Sequence, residues 1–401
     1  AIACRPMSAV IADTDRQQQL EMLRSSALAF TSKESPASRA RALRAKAPGF
    51  DLRFWNALAI QGWTGLLVPE SAGGYGQGFA EMGEVAAALA AQAAPEPVTP
   101  VLVFAGRLLQ GCAGSTTARA LLAETAEGRA LPAVAWQEDA SGAASFDLRG
   151  RPAEPAAVCV REGDQLVLRG GKRHVRPGAS ATGYIVTASS SEGLALVWLP
   201  AQCNGLVKNA DRLADGTFAA RLQFDNVAVP AAHLLAKGQA ATAALAAAYD
   251  ETLVLTGVEL VSVARRMLSI TLDYLRTRKQ FGKLIGSFQA LQHRAVDMLI
   301  QQELSAALVG HALAELDRGC TGSERALLAA RVKSRCSEAA LTIARESVQL
   351  HGAIGVTDDC DLGLYVQRAL VLSAWLGNAG VQRRRYAALS RNDARQPGAP
   401  E

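Results

Sequence analysis

Cysteine is sparse and unpatterned in this 401-residue sequence. The seven cysteines (Cys4, Cys112, Cys159, Cys203, Cys320, Cys336, Cys360) are odd in number, and no pair has C-x-x-C spacing. A disulfide framework or a zinc cluster does not fit that scatter, and a reducing, cytoplasmic setting is expected. The five histidines (His174, His233, His293, His311, His351) form no H-E-x-x-H or related pattern, so no metal is expected. No apolar run approaches the roughly 20 residues that a membrane-spanning helix needs. Lys and Arg outnumber Asp and Glu by 42 to 37, yet the longest basic block is the triplet Arg383, Arg384 and Arg385. That excludes a nucleic-acid footprint and leaves a mild positive field suited to an anionic small molecule. No signal-peptide pattern is read at the start, and residues 1–6, ahead of Met7, are set aside from the fold.

What is present is a core-forming composition, 49% hydrophobic and 20% charged, in a chain long enough for two or three domains. Aromatics are only 5%, and the bias to Ala, Leu and Arg favours helix. Residues 7–125 read as an N-terminal α-helical domain. Its Gly-rich turn at 71–76 precedes a compact Ala-rich helix at 79–94, closed by Pro95, Pro97 and Pro100. Residues 126–236 read as a β domain, a small antiparallel sheet or barrel. Short apolar runs at 157–160, 165–168, 184–187 and 194–199 are separated by turn residues, and Phe218, Ala220, Leu222 and Phe224 recur at period two. Residues 237–391 read as a four-helix bundle. An apolar stripe through Phe288, Leu291, Ala295, Met298, Leu299, Leu304, Leu308, Ala312 and Leu316 forms one helix, a second spans 323–350, and a last one follows the turn at Gly352–Gly355. Residues 392–401 read as a polar tail.

Two motifs in the bundle carry chemistry. Arg278-Lys279-Gln280-Phe281-Gly282, with Gln289 eight residues after Phe281, joins a cation, an aromatic and an amide. Such a set grips phosphates and stacks a base. Gln349-Leu350-His351-Gly352-Ala353-Ile354-Gly355 is a Gly-rich turn whose backbone N–H groups can approach an anion. By spacing alone, a solvated charge run and a plain helix–helix turn are equally good readings.

Together these segments resemble the acyl-CoA dehydrogenase family, in which R-x-x-F-G with a following Gln and Q-x-x-G-x-x-G occur in that order. The loop at 62–76 is similar to the family's G-x-x-G-x-x-x-P-E-x-x-G-G-x-G. Phe224-Asp225-Asn226-Val227-Ala228-Val229-Pro230 is similar to the segment that closes its β domain. The resemblance spans about residues 50 to 390. It implies a mainly α fold with a β-barrel middle domain, FAD as cofactor and an acyl-CoA thioester as substrate. It also implies that Arg278, Phe281, Gln289, Gln349, Gly352 and Gly355 hold the adenine and diphosphate of FAD across a subunit boundary. The expected assembly is therefore a dimer or tetramer, homomeric or with a second acyl-CoA dehydrogenase-type chain.

The sequence departs from the family where the chemistry happens. The Glu that takes the substrate α-proton in the family aligns with Leu376, which accepts no proton, and its Tyr neighbour aligns with Trp375. Trp375 and Leu376 are expected to fill the space where base and acyl chain meet. An alternative base position on the first bundle helix aligns with Thr252. Glu251 and Glu259 are nearby carboxylates, read more simply as exposed helix residues. The family's flavin-cradling segment matches only at Glu138 and Gly142 here, with Ala143 at a neighbouring flavin-side position. The segment against the flavin ring reads His174-Val175-Arg176, where Arg176 either pairs with a phosphate or carboxylate or lies on the surface of a hairpin. Three readings stay open: a subunit without its own base that completes a partner's FAD site; an autonomous flavoenzyme with Glu251 or Glu259 as displaced base; and a non-redox CoA-ester-binding or scaffold protein.

Overall fold

The computed structural model describes residues 7–44, 46–138 and 153–393. The chain opens with six helices: α1 (Met7–Glu34), α2 (Ala37–Leu43), α3 (Leu52–Ile60), α4 (Phe79–Ala91), α5 (Gly106–Gly111) and α6 (Thr116–Ala126). Local chemistry sets their starts. The Asp51 carboxylate accepts from the Arg53 N–H to cap α3, and the Ser115 hydroxyl accepts from the Ala118 N–H to cap α6. The prolines after α4 lead into a fully buried π-helical turn, Thr99–Ala105, which runs on into α5.

Eight strands follow: β1 (Pro132–Ala135), β2 (Val158–Glu162), β3 (Gln165–Val175), β4 (Gly183–Ser190), β5 (Gly193–Pro200), β6 (Leu206–Arg212), β7 (Phe218–Pro230) and β8 (Leu234–Lys237). The pairing path is β6-β7-β3-β2-β4-β5-β8, with β1 added in parallel to β4. The period-two pattern explains the long apolar runs of β4 and β5. Tyr184, Val186, Ala188, Ala195, Val197 and Leu199 point into the sheet's own core, whereas Ile185, Leu196 and Trp198 point into the helical core. Both faces are buried, so neither strand alternates with polar residues. The runs near 157, 165, 184 and 194 are strands, as the sequence suggests. β1, β6 and β8 are further strands: β1 and β8 are four residues long, and β6 is largely exposed and polar.

The C-terminal part packs α7 (Gly238–Thr277), α8 (Gln289–Asp317), α9 (Gly322–His351), α10 (Leu362–Ala374) and α11 (Ala379–Asp393). A hairpin, β9 (Lys279–Gln280) and β10 (Lys283–Leu284), separates α7 from α8. α7 is 40 residues long and buried on all sides over much of its length, touching the N-terminal helices, the sheet and the other bundle helices. Its buried Thr252, Thr256 and Thr271 hydroxyls donate back to the carbonyls of Ala248, Thr252 and Met267, so no polar hydrogen is stranded. The expected single last helix is broken in two. Leu376 (φ +58°) and Gly377 (φ +87°) turn the chain left-handed, and the Asn378 side chain accepts from the Val381 N–H to start α11. Among the described residues, no helix is long and apolar enough to cross a membrane.

Close approach of α7 and α9 depends on Gly257, where a Cβ would lie 2.5 Å from Val332 Cγ1. Gly257→Ala gains about 1 kcal/mol of helix propensity, but the overpacking it forces costs roughly 1–3 kcal/mol. The expected outcome is a net loss of stability, read as a lower denaturant midpoint at unchanged slope.

Candidate functional site

The elbow between α10 and α11 is held by its backbone. The Leu376 carbonyl accepts from Tyr249 Oη at 2.6 Å and from Gln382 Nε2 at 2.7 Å. Lys333, fully buried on α9, donates to the Ser373 carbonyl at 2.9 Å, the Gly377 carbonyl at 3.1 Å and Ser337 Oγ at 3.1 Å. The lysine amino group thus satisfies carbonyls at the C-terminal end of α10 that the helix leaves free. Leu376 itself is 2% exposed and packs into the helical core. The expectation that Leu376 fills the substrate space is therefore corrected: its side chain turns into the protein.

Beside the elbow lies a cleft of about 370 Å³ between the sheet and α10. His174, Arg176 and Trp375, three of the residues marked in the sequence, come together in its wall, with Gln137 and Asn378. His174 is exposed, with φ +53°. Arg176 is only 8% exposed, which corrects its reading as a surface hairpin residue. Its guanidinium lies 5.0 Å from the Trp375 ring centroid, and Nη2 donates to Thr217 Oγ1 at 3.4 Å. Burial, followed by repulsion from Arg368, pulls Arg176 down to about 10.

The carboxylates named in the sequence are engaged within the fold. Glu251 and Glu259 are buried, not exposed helix residues. Arg107 forks onto Glu251 with contacts of 2.7 and 3.2 Å. Arg368 donates to Glu259 at 2.8 Å and to Asp215 at 2.9 Å. Neither Glu251 nor Glu259 lines the cleft. Glu138 accepts from the Ala156 and Ala157 N–H groups and from Lys172 Nζ at 2.6 Å. Although burial opposes ionisation, the Lys172 ammonium and these two N–H groups hold the Glu138 carboxyl below its usual range. It braces the sheet, and Lys172 is buried behind it. Ala143 and Gly142 lie outside the described residues.

The second group gathers at the far end of the bundle. Phe281 and Gly282 are the two turn residues of the β9–β10 hairpin, both with positive φ (+52° and +76°), as a tight two-residue turn requires. Phe281 is 88% exposed and lies edge-on to Phe288, 6.1 Å between centroids. The Tyr274 ring, in the last turn of α7, stacks on His351, in the last turn of α9, at 4.4 Å. That contact sets the hairpin beside the Gly352–Val356 turn. Arg278, Gln289 and Gln349 are exposed, and their side chains make no hydrogen bond or ion pair with the described residues. Gly352 (φ +68°) has open space where a Cβ would stand. Gly355 is buried, and a Cβ there would meet His351 Cβ at 2.9 Å, so it serves the turn's packing. A cation, an exposed aromatic, two amides and an open glycine on one end fit the diphosphate and adenine of a dinucleotide.

Lys333, Arg368 and Asp215 were not singled out in the sequence. Lys333 carries a signal: it lies one turn from Ala329, Ala330 and Cys336 on the buried face of α9, where a charge is out of place. Asp215 and Arg368 come from distant segments and carry none.

Residues 17–129 match the acyl-CoA dehydrogenase N-terminal domain, and residues 227–389 match the acyl-CoA dehydrogenase C-terminal domain. The acyl-CoA dehydrogenase IpdE2 of Mycobacterium tuberculosis is 29% identical over 353 residues, 88% of this chain and 91% of that protein. The probable acyl-CoA dehydrogenase fadE25 of Mycobacterium bovis is 26% identical over 344 residues, 82% of this chain and 84% of that one. A variant of the Tcur3481-Tcur3483 steroid ACAD superposes with a TM-score of 0.83 at 27% identity, covering 94% of this chain and 99% of that chain. The ChsE4-ChsE5 complex from Mycobacterium tuberculosis gives a TM-score of 0.82 at 23% identity, covering 94% and 98%.

The elbow generates a pH prediction. A lysine ordinarily titrates near 10.5, and burial brings Lys333 down to about 7. Between those values the unfolded chain keeps a proton that the folded chain has released, so stability rises with pH across that interval and the gain is absent below it. Denaturant midpoints of wild type minus those of Lys333→Met are expected to grow as pH rises from about 7 to 10.

Proposed function

Since the chain belongs to the acyl-CoA dehydrogenase family, we propose that it is the partner subunit of a two-chain acyl-CoA dehydrogenase. In this reading it completes a FAD site whose carboxylate base is supplied by the other chain. The observation that carries the reading is an asymmetry. At the family's base position stands Leu376, apolar, buried and tied by its carbonyl to Tyr249 and Gln382. At the other end of the bundle, Arg278, Phe281, Gln289, Gln349 and Gly352 are exposed and uncommitted. A chain that turns over its own substrate needs a carboxylate at the first position, which Leu376 does not supply; a chain that serves a neighbour's cofactor needs the second set.

FAD, when bound, supplies the acceptor for the hydride leaving the β-carbon of the acyl group. In this chain Arg278 would meet the diphosphate, Phe281 the adenine, and the amides of Gln289 and Gln349 the remaining polar edge, with Gly352 leaving room for the approach. Glu251 and Glu259 are read as structural carboxylates, because each is already held by a guanidinium and stands away from the cleft.

The surface of α8 supports a partner of the same fold. Its buried face runs through Met298, Gln302, Ser305, Val309, Ala312 and Leu316. Val296, Leu299, Ile300 and Leu304, on the opposite side, are exposed aliphatic residues. The stripe read from the sequence as one core seam is thus split, with Leu299 and Leu304 on the outer face. An apolar helix face of this kind marks an interaction surface. The paired names Tcur3481-Tcur3483 and ChsE4-ChsE5 agree with a two-chain arrangement.

The test is purification of the chain alone and with an acyl-CoA dehydrogenase-type chain that keeps the Glu. Alone, it is expected to carry little flavin absorbance and to leave acyl-CoA unchanged; the pair is expected to carry flavin and turn over. Stoichiometric FAD and dehydrogenation by this chain alone would sink the proposal. Tight acyl-CoA binding with no flavin in any assembly would favour the non-redox reading. In the pair, Arg278→Ala is expected to cut flavin affinity about tenfold, near 1.4 kcal/mol. Glu251→Gln is expected to change turnover less than about twofold while lowering the melting temperature. Ile300→Glu is expected to split the assembly on size-exclusion chromatography.

A further inference from the structure

The proposed function leaves this chain's own cleft without a role, yet the cleft is a built cavity with a definite charge. Arg176 and His174 are the basic residues in its wall, and no acidic residue lines it among the described residues. Asn378, which caps the N-terminus of α11, stands in the same wall and adds the positive end of a 15-residue helix. The remaining lining is largely aliphatic, with Leu213, Leu370 and Val371 among it.

Arg176 is more than nine-tenths buried, and its Nη1 has no hydrogen-bond partner among the described residues. The neighbouring carboxylates do not meet it directly. Asp215 accepts from Arg368 and from the Thr217 N–H and hydroxyl, and Glu259 accepts from Arg368. Among the described residues, the long contact to Thr217 and the face of Trp375 touch the guanidinium, and Asp215 and Glu259 attract it from a distance. On its other side Arg176 borders a void of about 10 Å³ shared with Glu259, room for about one water. Burying a cation with an unmet donor is costly, and an anion in the adjoining cleft relieves that cost.

We propose that the cleft binds a ligand with an apolar body and a terminal carboxylate, the carboxylate received by Arg176. A planar guanidinium fork matches a carboxylate, and one uncommitted positive charge suits a monoanion better than a phosphate dianion. The aliphatic wall accepts the body, and the α11 N-terminus adds to the anion's field. The inference concerns this chain's own cavity and stands apart from the partner's FAD site.

The test is calorimetric titration of the purified protein with suberyl-CoA, octanoyl-CoA and free octanoate. Suberyl-CoA and octanoyl-CoA have acyl groups of the same length and differ in the far carboxylate. Suberyl-CoA is expected to bind at least about tenfold more tightly, which places the carboxylate on a thioester. Tight octanoate binding, with no preference between the thioesters, would support the same site with a free acid as ligand. Either result must vanish in Arg176→Met and survive in part in Arg176→Lys. Octanoyl-CoA affinity unchanged in Arg176→Met shows that the variant is folded. Equal binding of both thioesters by wild type with weak octanoate binding, or a preference that Arg176→Met retains, overturns the proposal. Flavin absorbance of the same samples bears on the partner reading and is scored separately.

Discussion

A buried lysine side chain at the end of a helix fixes the geometry of the C-terminal part of this protein. Lys333 reaches from α9 to the carbonyls of Ser373 and Gly377 and fixes where α10 stops. The chain then turns left-handed through Leu376 and Gly377, and α11 leaves in a new direction. From that elbow follow the inward aim of Leu376, the cleft-facing position of Trp375 and the cap at Asn378. Tyr249 and Gln382 lock the same point from α7 and α11, and Gln382 Nε2 also donates to Tyr249 Oη at 2.8 Å. Without these donors, two or three buried carbonyls would be unpaired, at roughly 1–3 kcal/mol each.

The fold was largely legible because its signals are local. Helix caps, prolines and the two faces of β4 and β5 are written in short stretches of sequence. The extra strands escaped because β1 and β8 are four residues long and β6 is a polar edge. The break between α10 and α11 escaped because Gly377 alone is a weak punctuation mark; Lys333, forty-four positions earlier, completes it. The adenine-side motifs were legible as residues in a pattern. The cleft was only half so: His174, Arg176 and Trp375 were named, but their convergence depends on the end of β3 coming to stand across the cleft from α10 in the folded chain. The exposed reading of Glu251 and Glu259 failed because their partners, Arg107 and Arg368, lie 144 and 109 residues away.

The two ends of the bundle tell one physical story. Polar groups that remain free and exposed at a protein surface are available to a ligand; polar groups already paired inside are not. By that measure the hairpin end has free polar groups to offer, whereas Asp215, Glu251 and Glu259 are engaged in holding the fold. Arg176 is a buried cation in the cleft wall with one N–H unmet among the described residues, and at the family's base position stands the apolar Leu376. The molecule therefore combines an end with uncommitted polar groups and a cleft walled by a buried cation.

The most direct measurement is an experimental structure of the protein assembled with its partner and FAD. The account predicts the adenine against Phe281 and the diphosphate on Arg278, with the flavin ring in the cleft of the other chain. A flavin ring seated in this chain's own cleft, beside Trp375 and Arg176, would contradict it.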